Sequence, residues 1–254
     1  MDSSEILAEM EMNYDDLVAY LLGKYGKAQY DYFLTDKCVS KNRKVTRTSE
    51  GLLCHHIDEN IHDDLSEPHY AIKSPFASQK ADRLVYCNYI EHLLLHIQIG
   101  KDRYWKTHST IRSPASFSAF IMPGMHYLCY DLNELYDKDG SVLEWKMRCY
   151  RKVEENFNDY VFILKSFVNY LEEHYKGPKL TFYVGKKVKH KIQGEGIVTE
   201  IKGKGTSAIV TIQFDKYKNF TYGESYDCFV VELKDELARS WSSDCVAKIR
   251  SALG

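Results

Sequence analysis

Ten histidines occur in the chain, and four of them fall in two short stretches, LLCHHIDEN at 52–60 and RLVYCNYIEHLLLH at 83–96. The first holds the tandem pair His55 and His56; the second holds His92 and His96, one helical turn apart. Imidazole is both a common metal ligand and, with an ordinary pKa of about 6.5, a side chain able to accept a proton near neutral pH. Residues four apart on a helix share a face, so Asn88, His92 and His96 form one stripe. Adjacent residues on a strand point to opposite faces. One member of the tandem pair is therefore expected to turn toward the stripe and share a metal ion, and the other to point outward to solvent and substrate. Metal-assisted phosphodiester hydrolysis needs that division, with a cation to offset phosphate charge and a neutral imidazole to take a proton from water. The same ligands could instead close a structural zinc site if Cys54 or Cys87 supplied a fourth donor. Glu91 lies off the stripe and reads as a surface carboxylate. His62 and His69, with Asp63 and Asp64, read as solvated, and His126, His174 and His190 as ordinary packed histidines.

Positioning these groups requires a strand, a second strand and a helix. Residues 50–57 (EGLLCHHI) are short and apolar and read as a strand; 58–81 is polar, contains Pro68 and Pro75, and reads as a long loop. RLVYC at 83–87 reads as a second strand, and 88–100 as a helix stopped by Gly100. Upstream, 15–23 (DDLVAYLLG) has helical spacing.

The segments EGLLCHHIDEN and RLVYCNYIEHLLLH resemble the ββα-metal fold of the HNH (His-Me finger) endonucleases, in which a double histidine closes the first strand and the helix carries H-x-x-x-H. The resemblance covers about residues 50–99. It implies His55, His92 and His96 as ligands of a divalent ion (Mg, Mn, Ni or Zn) and His56 as the general base. The central asparagine of the family pattern, nine residues before the first helical histidine, is Arg83 here. Arg83 must then brace the site differently or contact phosphate, and Asn88 is a possible substitute polar group. Double-stranded DNA is the implied substrate, with a homodimer as one way to make double-strand breaks.

Beyond this core, 125–176 is read as mostly helical, ending at Gly177 and Pro178. From 179 the pattern changes to short alternating runs split by glycines, the signature of a small antiparallel barrel. Gly185, Val188, His190, Gly194 and Gly196 resemble the opening of the SH3-like (Tudor-like) barrels at the C-terminus of UvrD and PcrA type helicases, which implies a module for nucleic-acid or protein binding. The organisation expected is α+β: an HNH-like domain over 1–110, a helical connection over 111–178, an SH3-like barrel over 179–235 and a C-terminal helix over 236–254.

Composition narrows the class. A formal net charge of −2 gives no global pull toward nucleic acid, but Lys41, Arg43, Lys44 and Arg47 form a local basic cluster, the expected nucleic-acid contact. Seven scattered cysteines without C-x-x-C fit a reducing cytoplasm better than a disulfide framework. The acidic start MDSSEILAEMEM lacks the basic and apolar regions of a secretory signal, so a soluble cytoplasmic protein is expected. The competing expectation is a non-catalytic adaptor, with a zinc-stabilised scaffold and a barrel that recruits a protein partner.

Overall fold

A computed structural model describes residues 2–107, 124–137, 143–174, 184–190, 194–202, 209–214, 217–223 and 243–253. Two helices open the chain, α1 (Ser3–Met10) and α2 (Tyr14–Tyr25). Asp2 and Asn13 cap them, each side chain accepting a backbone N–H of the first turn. Gly26, at φ +76°, ends α2. Leu17 and Leu21 are fully buried where α2 packs on the second strand and on the helix that follows it.

The hairpin consists of β1 (Leu53–His56) and β2 (Leu84–Cys87), antiparallel, with His55 opposite Val85 and His56 opposite Leu84. All four residues of β2 are buried, so both its faces are covered and its sequence runs apolar without alternation. The chain between the strands, expected as a loop, is folded into short turns. These are 3-10 turns at Ile57–Asn60, Phe76–Gln79 and Ala81–Arg83, and a single helical turn, α3 (Pro68–Ala71), with proline at its start.

Helix α4 (Tyr89–Thr107) starts directly after β2. Asn88 Oδ1 accepts the N–H groups of Ile90 and Glu91 at 2.9 and 3.0 Å, and Glu91 Oε2 accepts the Asn88 N–H at 2.7 Å. This is a reciprocal capping box. Glu91 is therefore buried, not the surface carboxylate its place off the histidine stripe suggests. Helix α4 also continues through Gly100, where the sequence predicts a stop; one interior glycine costs only about 1 kcal/mol, and buried Ile97 and Ile99 hold that turn in the core.

Helices α5 (Met125–Asp137), α6 (Glu144–Tyr150) and α7 (Phe157–His174) follow, as the periodicity predicts. Leu132, Leu164 and Phe167 join Leu93, Leu94 and Leu21 in the main core. Strands β3 (Lys187–His190), β4 (Gly194–Lys202), β5 (Ile209–Phe214) and β6 (Tyr217–Gly223) then make an antiparallel meander in sequence order. Among the described residues β3 and β6 are its free edges, with no closure into a barrel. Gly194 pairs with His190 across the first hairpin, and Gly196 lies inside β4. Helix α8 (Ser243–Leu253) packs against α5 and α7, burying Ile249 and Leu253 in the main core. The chain is thus a mixed α and β structure, and among the described residues no helix is long and apolar enough to cross a membrane.

Candidate metal centre

Helix α4 and the end of β1 bring His55, His92 and His96 together, and the 3-10 turn after β1 adds Glu59. His55 Nδ1 lies 3.1 Å from His92 Nε2 and 3.3 Å from Glu59 Oε2, and Glu59 Oε2 lies 3.5 Å from His96 Nε2. A tetrahedral ion with bonds of about 2.0–2.1 Å separates neighbouring ligand atoms by about 3.3 Å. These three separations bracket that edge length, and all four donor atoms lie within 4.8 Å of one another, close enough for the four side chains to gather round one small divalent ion.

A hydrogen bond behind the cluster sets the tautomer of His55. The Tyr14 hydroxyl donates to the Ile57 carbonyl at 2.8 Å and lies 3.0 Å from His55 Nε2. Having spent its only proton, the hydroxyl can only accept from His55, so Nε2 carries the hydrogen and the Nδ1 lone pair faces the cluster. Such outer partners orient metal-binding imidazoles. His92 Nδ1, by contrast, is buried with no hydrogen-bond partner among the described residues, so the cluster alone positions that ring.

The electrostatics favour a cation. Burial, reinforced by His96 and His56 and opposed by Glu59, pushes the His55 pKa down to about 3. Burial, with His96 and His55 beside it, likewise drives His92 well below the usual histidine range. Both rings are neutral at pH 7 and offer lone pairs. Burial alone would raise the Glu59 pKa, but the neighbouring His56, His55 and His96 imidazoles hold it below the carboxylate range. The ionised Glu59 carboxylate beside the neutral His55 and His92 rings gives the cluster negative charge that a divalent ion would offset.

The cluster forms part of the wall of a cavity of about 710 Å³. Glu59, His92 and His96 line it together with Thr46, Arg47, Thr48, Asp64, Tyr70 and Tyr127. Gly124 closes one side: a Cβ there would lie 2.4 Å from His96 Cε1. Its φ of +79° also suits glycine.

His56 does not face solvent as the alternation of strand side chains led us to expect. It is 1% exposed, with its Nε2 2.9 Å from Gln79 Oε1 and its ring centroid 4.3 Å from that of Tyr32. The face of β1 expected to be open is covered by the Tyr32 segment and the turn ending at Gln79. Its Nδ1 lies 3.7 Å from Glu59 Oε1.

Arg83 pairs with Asp58 through two guanidinium nitrogens, bracing the turn that carries Glu59. Burial would raise the Asp58 pKa, but the Arg83 and Ser78 hydrogen bonds outweigh it and the carboxyl is lowered. Asn88 is committed to capping α4 and does not substitute at the site. Cys54 and Cys87 stand outside the candidate donor set, in which Glu59 occupies the fourth place that the structural-zinc alternative gave to a cysteine. In the basic cluster, Arg47 is committed internally, to Glu50 and to the Tyr25 carbonyl. Lys41, Arg43 and Lys44 are exposed.

Sequence reasoning missed Glu59 and Tyr14. Glu59 had a weak signal, a carboxylate four residues after His55. Tyr14 had none, since its helix lies 41 residues upstream. Compared with known proteins, the chain matches no protein-family model, no curated protein and no solved structure.

Proposed function

We propose that the chain is a metal-dependent endonuclease of the HNH (ββα-metal) type that hydrolyses phosphodiester bonds in DNA. The observation that carries this reading is the set of His55, Glu59, His92 and His96 donor atoms, all within 4.8 Å of one another, with Glu59, His92 and His96 on the wall of an open cavity. An ion held by these four residues would supply positive charge to the scissile phosphate and to the departing oxygen. In this reading His56, buried behind Glu59 and off the cavity wall, takes the proton of the attacking water once a water reaches its Nδ1 from the Glu59 side. The Arg83–Asp58 pair holds the turn that carries Glu59. Exposed Lys41, Arg43 and Lys44 engage the nucleic-acid backbone, a sequence-independent contact that weakens with salt. The four-stranded meander serves as an SH3-like accessory module for nucleic acid or protein. Free Cys38, Cys54, Cys87, Cys129 and Cys149 support a reducing, cytoplasmic setting.

One observation favours a second reading. Four protein ligands are the complement of a closed structural zinc site, and a non-catalytic adaptor would need no more. Plasmid nicking with Mg²⁺, Mn²⁺, Ni²⁺ or Zn²⁺ separates the two. The expected result is nicking by the wild type, its loss in His56→Ala, and nearly unchanged metal binding in that variant. Cleavage retained by His56→Ala removes His56 from its role. Stoichiometric zinc without nicking under any ion leaves the adaptor.

A further inference from the structure

We infer that Gln79 is a positioning residue that fixes the tautomer and ring orientation of His56. Gln79 is wholly buried at the end of the Phe76–Gln79 turn. Its amide nitrogen donates to the Leu65 carbonyl at 3.1 Å. Only the nitrogen of an amide can make that bond, so the oxygen must face His56, 2.9 Å from Nε2. An amide oxygen only accepts. His56 Nε2 therefore carries a hydrogen, and in the neutral ring the lone pair is left on Nδ1, which lies 3.7 Å from Glu59 Oε1, beyond hydrogen-bond reach.

The surroundings hold this arrangement from two more directions. The Tyr32 ring packs on His56 at an interplanar angle of 59°, so the imidazole cannot turn over without displacing it. The Tyr32 N–H donates to the Gln79 carbonyl at 2.8 Å, tying that ring to the same turn. The opposite tautomer would set the Nε2 lone pair against the Gln79 oxygen in a buried site, leaving two acceptors unsatisfied. Arg83, at the position where the HNH pattern has its bracing asparagine, is engaged by Asp58 and is 42% exposed. The bracing of His56 comes instead from Gln79, a residue outside that pattern.

The catalytic consequence rests on the proposed role of His56 as proton acceptor, whereas the tautomer does not. Both are read in one set of experiments. In metal-free, ¹⁵N-labelled protein at mildly alkaline pH, the His56 Nε2 resonance is expected at the protonated position and Nδ1 at the unprotonated one. Gln79→Met keeps the volume and removes the acceptor; mixed tautomers are expected, with nicking kcat down about 10–100-fold, the range seen for outer-shell partners, and KM unchanged. Gln79→Glu, whose carboxylate still accepts, is expected to keep Nε2 protonated, and it provides the test if the Met variant does not fold. A hydrogen on His56 Nδ1 in the wild type overturns the inference. So does wild-type nicking by Gln79→Met where His56→Ala is inactive. If the wild type itself nicks nothing, the endonuclease reading falls while the ¹⁵N resonances still decide the inference.

Discussion

Replacing Gly124 by alanine tests the metal centre at the point where backbone and ligand come closest. The added Cβ would stand 2.4 Å from His96 Cε1 and 2.8 Å from its Nδ1, whereas carbon atoms rest at about 3.5–4.0 Å. The imidazole must therefore retreat by about 1 Å. Metal–ligand distances tolerate only about 0.2 Å, so His96 leaves the ligand set. Even perturbing outer partners of a ligand costs about 10–100-fold in metal affinity, and loss of His96 should cost at least that. The variant also places a side chain at φ +79°, a backbone strain of about 1–3 kcal/mol. Gly26→Ala separates the two effects, because Gly26 has φ +76° but nothing within 4 Å of the added Cβ. Urea unfolding of the metal-free proteins should show both variants destabilised, Gly124→Ala more so. Calorimetric titration with Zn²⁺ or Ni²⁺ should show weakened binding in Gly124→Ala alone. Wild-type affinity in Gly124→Ala would refute the placement of His96 in the centre.

Tyr14→Phe removes the acceptor that holds His55 Nε2–H and should lower Zn²⁺ affinity about 10–100-fold while costing about 1 kcal/mol of metal-free stability; unchanged affinity would show that Tyr14 does not set the tautomer. Glu9 gives a prediction remote from the metal. It is buried beside Lys24, its Oε2 has no hydrogen-bond partner among the described residues, and burial, with Glu91 nearby, raises its pKa to about 8. A carboxyl whose pKa is raised on folding favours the fold while protonated, so its contribution is complete below about pH 4.5 and is lost as pH rises through 8. Glu9→Gln should remove that loss, worth up to about 1.4 kcal/mol per pH unit across the window. The stability difference between variant and wild type, measured by urea unfolding, should therefore grow with pH; a flat difference would refute the assignment.

The sequence made the three clustered histidines legible because each depends on a local period: His92 and His96 share a helix face, and His55 precedes a strand end by one residue. The hairpin and α4 were legible for the same reason. Glu59 and Gln79 were not, because both lie in short 3-10 turns within a stretch whose polarity and prolines read only as loop. Glu91 was misplaced because a carboxylate in a first turn satisfies the helix's own N–H groups and also meets Tyr25 and Lys24 from α2, contacts that no spacing encodes. The burial of His56 has the same origin. Alternation gives the direction of a strand side chain, but whether that direction leads to water depends on what packs there, in this case Tyr32 and Gln79.

Helix α8 returns to the helices that precede the meander, placing Ile249 and Leu253 in a core shared with residues near position 20. During synthesis the histidine hairpin and α4 leave the ribosome long before that last helix does, so the core stays unsealed while the four strands are made. Cutting the chain after the meander would therefore open an apolar seam in the helical body, and a shortened version made to isolate the hairpin should aggregate unless α8 is supplied as a separate peptide.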